Sequence, residues 1–403
     1  MSDKEAQKQV NQLLSILADD LDVSEAKYKE AEERYKALGK WLERPESSLR
    51  QLSPTIYVQG SFLFGTAIKP ITDQGHYDLD VVCQIGLNKK QVTPKRLKEM
   101  VGREVKAYAT AQSMDNPAEE GNRCWTLNYS DKSRFHMDVL PSVPDSEALR
   151  LRLEQYSMSS GWTEDAISIT DRNDPLYEIR FADHLVSNPK GYAEWFKDKM
   201  KKIALATFSA SDVLMEKYAK VEDVPTYEFK SPLQRVVQIL KRHRDITFGD
   251  SDDKPISIVI TTLVAHAYQG ESDIQEALAN IVDRMLDKIE MVGCEVWIRN
   301  PVNPVENFAD KWREHPSRKQ AFYRWHQELK STIGAMNMSS VGLQAFSANL
   351  EKLVGKAMSE SVMKKYAEAS RSNINSGNLK VAPKLATFGS FGASVKPHTF
   401  YGK

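Results

Sequence analysis

Apolar residues recur at three- and four-residue intervals through the first forty positions: Val10, Leu13, Leu14, Leu17 and Leu21, then Tyr28, Ala31, Tyr35, Leu38 and Leu42. This spacing lines one face of a helix and predicts a long helix or a helix pair over 10–42, with Ser24 able to cap the second segment. After Pro45 and Pro54 the pattern shortens to β-rich runs, TIYVQGSFLFG, YDLDVVCQI, CWTLNYS and RFHMDVLPSV, which predict a small sheet. Beyond about residue 190 strand signals become scarce, and amphipathic segments over 233–244, 256–268, 274–289, 321–333 and 343–370 predict a helical lobe. The last stretch is rich in Gly, Ser, Asn and Lys and reads as a flexible tail. The expected fold class is α+β: an N-terminal helical spine over 1–50, a catalytic sheet region over 51–190, a C-terminal helical lobe over 191–372 and a tail over 373–403.

Composition narrows the function classes. With 41% apolar and 27% charged residues the chain is an ordinary globular protein. Lys and Arg number 55 and so do Asp and Glu, so no global positive field favours a long nucleic-acid track, whereas small anionic substrates stay open. Cys83, Cys124 and Cys294 are dispersed, without the spacing of a disulfide framework or a zinc module, and a reducing cytoplasm is the expected location. The polar start MSDKEAQKQVNQLL and the lack of a span-length apolar run predict a protein with no membrane partner.

The chemistry concentrates at Asp78 and Asp80. In a strand their side chains share one face while Leu79 and Val81 point to the other. Two carboxylates so close repel unless a cation lies between them, and Mg²⁺ binds in this way, through one or two carboxylates plus substrate phosphates. Taken alone, the pair is equally compatible with solvated carboxylates on an edge strand. Upstream, Gln59, Gly60 and Ser61 leave a β-like run and supply a turn whose amides can face a phosphate. Downstream, Asp138 lies on another strand and points the same way as His136 and Leu140. Three carboxylates beside a Gly-Ser turn form the set needed for two-metal, in-line phosphoryl transfer, with Asp138 a candidate general base.

These runs, VQGSFLFGTAI at 58–68, YDLDVV at 77–82 and FHMDVLP at 135–141, resemble the signature of the DNA polymerase beta-type nucleotidyltransferases. More narrowly, the chain is similar to the bacterial CD-NTases, the cyclic GMP-AMP synthase-like cyclic oligonucleotide synthases. The likeness continues through SNPKGY at 187–192, KSPLQ at 230–234, KRHRD at 241–245, PISI at 255–258 and NPVNPVENFADKW at 300–312. The stretch between Ser61 and Asp78 is longer than the general superfamily pattern and fits the narrower family.

The resemblance implies a polymerase beta-like sheet joined to the helical lobe, as in cyclic GMP-AMP synthase and oligoadenylate synthetase. It also implies a metal set of Asp78, Asp80 and Asp138 holding two Mg²⁺ ions, for which Mn²⁺ can substitute. Gln59, Gly60, Ser61, Lys241 and Ser257 become the expected nucleotide-binding residues, with Ser257 equally readable as a helix cap. His243 and Arg244 read more simply as a packed histidine and a surface arginine. The polar run at 170–174 and the rings of Tyr177 and Tyr192 lie where base-reading groups would sit.

The implied activity is joining and cyclising NTPs, with ATP the expected substrate, into an adenine-containing cyclic di- or trinucleotide for anti-phage (CBASS) signalling. A HORMA-type or ubiquitin-transfer-like regulatory partner is in keeping with the family, and zinc-dependent DNA sensing is not expected. Two alternatives remain at this level: a template-free RNA-tailing nucleotidyltransferase, which would need an extended basic track, and a catalytically silent nucleotide-sensing module, which would be expected to lack an aspartate.

Overall fold

A computed structural model describes residues 3–72, 74–129, 134–158, 161–179, 184–207, 230–336 and 342–375, and three short strands between 380 and 394. The first apolar pattern folds as two helices, α1 (Asp3–Leu21) and α2 (Glu25–Glu43). Ser24 separates them and caps α2, its hydroxyl accepting the Lys27 N–H at 3.4 Å.

Strand β1 (Thr55–Val58) stops earlier than its β-rich run predicts. Gly60 has φ +65° and Gly65 φ +65°, so the chain turns into a single-turn helix, α3 (Gly60–Phe64), before it can continue as a strand. Next come β2 (Tyr77–Gln84), α4 (Pro94–Ala111), β3 (Glu119–Glu120), β4 (Trp125–Tyr129), β5 (Phe135–Pro144), α5 (Ser146–Gln155), β6 (Ile167–Ile169) and β7 (Leu185–Ser187). The strands form one mixed sheet in the order β1-β2-β5-β4-β3, with β6 bridging β5 and β7. Among the described residues, only β2 and β5 pair in parallel, a connection that requires a crossover, and α4 lies within it.

Helix α4 covers the back of the sheet. Trp125 donates its indole N–H to the Lys98 carbonyl at 2.9 Å, and its ring lies against the backbone at Gly102. A Cβ at Gly102 would stand 2.2 Å from that ring. Gly102→Ala is therefore expected to destabilise the protein by about 1–3 kcal/mol through overpacking, in spite of the better helix propensity of alanine. Denaturant unfolding checks this, and a neutral or stabilising result would contradict the packing.

The second lobe is helical, as the sequence pattern predicts: α6 (Pro189–Thr207), α7 (Pro232–Phe248), α8 (Ser257–Ala267), α9 (Ile274–Arg284), α10 (Pro316–Ala335), α11 (Gly342–Val354) and α12 (Lys356–Asn375). The segment expected as one helix over 343–370 is two, because Gly355 takes φ +86°. Two small hairpins interrupt the lobe, β8 (Glu290–Val292) with β9 (Glu295–Trp297) and β10 (Arg299–Asn300) with β11 (Asn303–Asn307). Within the stretch read as a loose tail, β12 (Lys380–Ala382) pairs with both β13 (Thr387–Gly389) and β14 (Ala393–Ser394).

Spine, sheet and lobe share one apolar core that runs from Leu13 and Leu17 through Leu38, Phe62, Val81 and Val139 to Leu240 and Phe322. The front of the sheet, where β2 and β5 meet, is left facing α7 and α8. Among the described residues, no helix is long and apolar enough to cross a membrane.

Candidate active site

The parallel register of β2 and β5 sets Asp80 directly beside Asp138, and Asp78 beside His136. Residues paired in this way point to the same face, so all three aspartates project to the front while Leu79 and Val81 are fully buried behind. On the other side of β5, Thr126 is the register partner of Asp138, and its hydroxyl donates to Asp138 Oδ1 at 2.5 Å. That bond fixes one carboxylate oxygen, and the Cys124 thiol also hydrogen-bonds to this carboxylate.

The Gly-Ser turn closes over the same point. Gln59 donates its backbone N–H to the Asp80 carbonyl at 2.8 Å, and Gly60 then passes so near the Asp80 side chain that a Cβ would lie 2.5 Å from Oδ2. Glycine is required here twice, for the positive φ and for the approach.

Burial, then the charges of Asp138 and Asp78, push the Asp80 carboxyl up to about 7, with Lys241 opposing. Asp78 is pushed up as well, by the cleft walls first and then by Asp138 and Asp245 against the opposing pull of His136 and Arg244. Its side chain is 84% exposed, so water damps that push and Asp80 carries the main strain. The cleft is a cavity of about 330 Å³ lined by Gly60, Ser61, Asp78, Asp80, Lys241 and Arg244 among others. A larger cavity of about 630 Å³ between α1, α9 and α10 has Asp273, Glu276 and Asp283 on its walls and lies away from the three aspartates. The smaller cleft holds Asp78, Asp80 and the Gly-Ser turn and brings Lys69, Lys241 and Arg244 to them, so it is the candidate site.

Uncompensated carboxylate charge at Asp78, Asp80 and Asp138 fits a hard divalent cation. Among the described residues, no three or more His, Cys, Asp or Glu side chains form a ready-made metal cage. Mg²⁺ held by one or two carboxylates plus phosphate oxygens needs none.

Residues 54–141, which carry β1, the Gly-Ser turn, β2, α4 and most of β5, match the family described as cyclic GMP-AMP synthase DncV-like, nucleotidyltransferase domain. A protein of Roseivirga ehrenbergii named c-di-GMP synthase is 31% identical over 331 residues, covering 80% of this chain and 78% of its own. The chain belongs to the bacterial CD-NTases. Among solved structures, Bradyrhizobium diazoefficiens CdnG in complex with GTP aligns with a TM-score of 0.66 at 21% identity, covering 88% of this chain and 97% of that one. The CdnC:HORMA complex of Escherichia coli aligns with a TM-score of 0.58 at 16% identity, covering 86% and 96%. These two likenesses carry the fold. This CD-NTase is accordingly a nucleotidyltransferase of a family of cyclic oligonucleotide synthases.

Of the residues singled out in the sequence, the CD-NTase fold gathers Asp78, Asp80, Asp138, Gln59, Gly60 and Ser61 around one turn. Lys241 lines the cleft from α7 but is only 5% exposed, and its ammonium donates to the Thr66 carbonyl at 3.1 Å and to the Thr66 hydroxyl at 3.2 Å. Burial, then Arg244, push it down to about 7. Ser257 lines the cleft too. It is the first residue of α8, with Ile256 in the cap position, and its hydroxyl accepts from Arg244 at 2.7 Å.

Arg244, read as a surface residue, is 9% exposed, lines the cleft and pairs with Asp245 at 2.7 Å. His243 packs near Trp325, and burial pushes it down to about 4, so it stays neutral. The run at 170–174 lies outside the cleft lining: Thr170 donates to the Arg123 carbonyl and Asp171 pairs with Arg123. Tyr192 is core, its hydroxyl 2.8 Å from Thr262, and Tyr177 does not line the cleft.

Sequence reasoning missed His76, Lys69, Asp245 and Thr261, all on the cleft wall. His76 stacks on His136 with ring centroids 4.2 Å apart and planes 18° from parallel. The strand alternation that includes His136 was a usable signal for that residue. His76 precedes the strand and had none.

Proposed function

We propose that this CD-NTase joins two GTP molecules through successive hydroxyl attacks on α-phosphorus and closes them into a cyclic dinucleotide. The shared face of Asp78, Asp80 and Asp138 beneath the Gly60 turn carries the chemistry of this reading. The similarity to a relative named c-di-GMP synthase supports the guanine base and the dinucleotide ring. The adenine-containing product expected from the sequence is the alternative that the base-preference test below decides.

Asp78, Asp80 and Asp138 would hold two Mg²⁺ ions, or Mn²⁺ in their place, which when bound neutralise the triphosphate and acidify the attacking hydroxyl. Asp138, oriented by Thr126, is the group placed to take the hydroxyl proton. Ser61 contacts the β- or γ-phosphate, and Gln59 and Gly60 shape the turn that presents it. Arg244 and Ser257 form the opposite wall. After the first coupling the linear intermediate must turn over within the cleft, so that its other end meets the same aspartates.

Lys241 would leave Thr66 and reach the triphosphate as a point charge. Lys241→Ala is expected to raise the apparent KM for GTP about tenfold with kcat little changed, the pattern of a lost ground-state contact. Steady-state kinetics check this, and an unchanged KM would confine Lys241 to its bond with Thr66.

The likeness in fold to CdnC, solved with a HORMA protein, supports a HORMA-type partner as the regulator to test first; CBASS signalling is the setting that the family resemblance implies. A ubiquitin-transfer-like partner would act on the last residues of the chain, which lie outside those described. Pyrophosphate release from each NTP supplied alone tests the base preference. Release from GTP and not from CTP or UTP supports the reading, and equal release from all four overturns it.

A further inference from the structure

The segment that follows the Gly-Ser turn, residues 64–70, forms much of one wall of the cleft and belongs to neither the sheet nor a long helix. Its carbonyls must find donors elsewhere, because a buried carbonyl without one keeps the full penalty of leaving water. Five of the seven find them on a single helix. Gln234 donates its amide to the Phe64 carbonyl at 2.9 Å, Lys241 to that of Thr66 at 3.1 Å, and Gln238 to that of Ala67 at 2.8 Å. Arg242 donates to the carbonyls of Lys69 and Pro70.

Positions 234, 238, 241 and 242 are spaced by four, three and one, so they form one stripe along α7. All four side chains are buried, at 0 to 5% exposure, in a helix otherwise packed with Leu233, Val236, Val237, Ile239 and Leu240. Burying four polar side chains side by side is costly unless they are bonded, and here each donates to this one segment, while Gln238 Oε1 and Arg242 Nε are buried without a partner. The amide orientation of Gln238 follows from its partners: Nε2 faces two acceptors, the Ala67 carbonyl and Asp22 Oδ1 at 3.1 Å. Asp22 also accepts from Lys230 and Arg235, while Lys69 donates its N–H to the Leu21 carbonyl at 2.8 Å. The cleft wall is therefore tied at both ends, to α7 and to the end of α1.

From this geometry we infer that Gln234, Gln238 and Arg242 are positioning residues for the nucleotide: they fix the wall after the Gly-Ser turn so that Ser61 and Lys241 meet the triphosphate in one arrangement. The inference rests on the nucleotide-binding reading of the cleft. None of the three touches the reacting atoms. Their effect passes through Phe64, Ala67, Lys69 and Pro70, which line the cavity. A wall that is free to shift weakens triphosphate binding before and during reaction alike, which raises KM and spares kcat. A merely structural role would lower the folded fraction, reducing apparent kcat and leaving KM where it was.

The test uses Gln234→Met and Gln238→Met, singly and together, since methionine keeps the length and unbranched shape of glutamine and removes the amide donor. Wild type is assayed first with GTP; absence of turnover and of GTP binding by calorimetry would fail the nucleotide reading itself, separately from this inference. Given a working wild type, the double variant is expected to raise the GTP KM tenfold or more with kcat within threefold, and to weaken calorimetric binding of a nonhydrolysable GTP analogue in step. A folded double variant with KM and analogue binding within twofold of wild type overturns the inference. If the double variant does not fold, the Gln234→Met single variant, which gives up one bond to Phe64, is read by the same criteria with a threefold rise in KM as the threshold.

Discussion

Asp80→Asn is expected to abolish turnover and, at the same time, to make the metal-free protein more stable at neutral pH. The first effect follows from the metal set. Asparagine keeps the shape but loses the charge, and metal-borne charge stabilisation of several kcal/mol, at about 1.4 kcal/mol per tenfold, sets the loss at about a thousandfold or more.

The second effect follows from crowding. The folded Asp80 carboxyl is pushed up to about 7 from an ordinary value of 3.8, because it is half-buried in the cleft and crowded by Asp138 and Asp78. A raised folded-state value means that the native protein holds the proton more tightly than the unfolded chain. Stability is then fully present below pH 3.8 and is lost as pH rises toward 7. Asparagine never ionises, so its advantage over aspartate starts near zero at pH 4 and is complete above pH 7. Buried His243 and half-buried His266, each pushed down to about 4, act in the opposite sense between pH 4 and 6.5. They are common to both proteins and cancel in the difference. Melting temperatures of the two proteins, compared at pH 4.5 and pH 8 in chelator, read the effect. A variant that gains nothing at pH 8, or that keeps turnover within tenfold of wild type, would remove Asp80 from the site.

Gly60→Ala is the second change with a large expected effect. Alanine at φ +65° costs about 1–2 kcal/mol, and its Cβ would meet Asp80 Oδ2 at 2.5 Å. Either the turn lifts or the carboxylate swings away, and in both cases Ser61 and Asp80 lose their mutual placement. A displacement of about 1 Å in such a site costs about a hundredfold. The expected result is a loss of about a hundredfold in kcat/KM with the fold kept, measured by steady-state kinetics and circular dichroism. Activity within threefold of wild type would mean that the turn does not lean on Asp80 during reaction.

Much of this molecule is legible in its sequence because two periodicities dominate it. Leu13, Leu17 and Leu21 announce a helix face, and the alternation of Asp78, Leu79, Asp80 and Val81 announces a strand with a charged front. The site is readable for the same reason: the aspartates face one way whatever the neighbours are. What the sequence hides depends on pairing and on cancellation. That Asp80 lies beside Asp138 depends on the parallel register of β2 and β5, which nothing local specifies. Gly60 and Gly65 turn a β-like run into a helical turn, an outcome set by φ and not by hydrophobicity. Arg244 and Lys241 look like ordinary surface cations on an amphipathic helix, yet both are buried, since carbonyls and hydroxyls inside the fold accept from them. The hairpins β8–β9 and β10–β11 have strands of two to five residues, too short for a period to show.

Three aspartates under one turn are expected to make a cyclic dinucleotide from GTP. The most direct test is to incubate the purified protein with GTP and with all four NTPs in Mg²⁺ or Mn²⁺, treat with phosphatase, and identify products by mass spectrometry, with Asp78→Ala/Asp80→Ala as control. A phosphatase-resistant cyclic diguanylate, absent from the control, is expected. Linear, phosphatase-sensitive oligonucleotides, or the same product from the control, would contradict it.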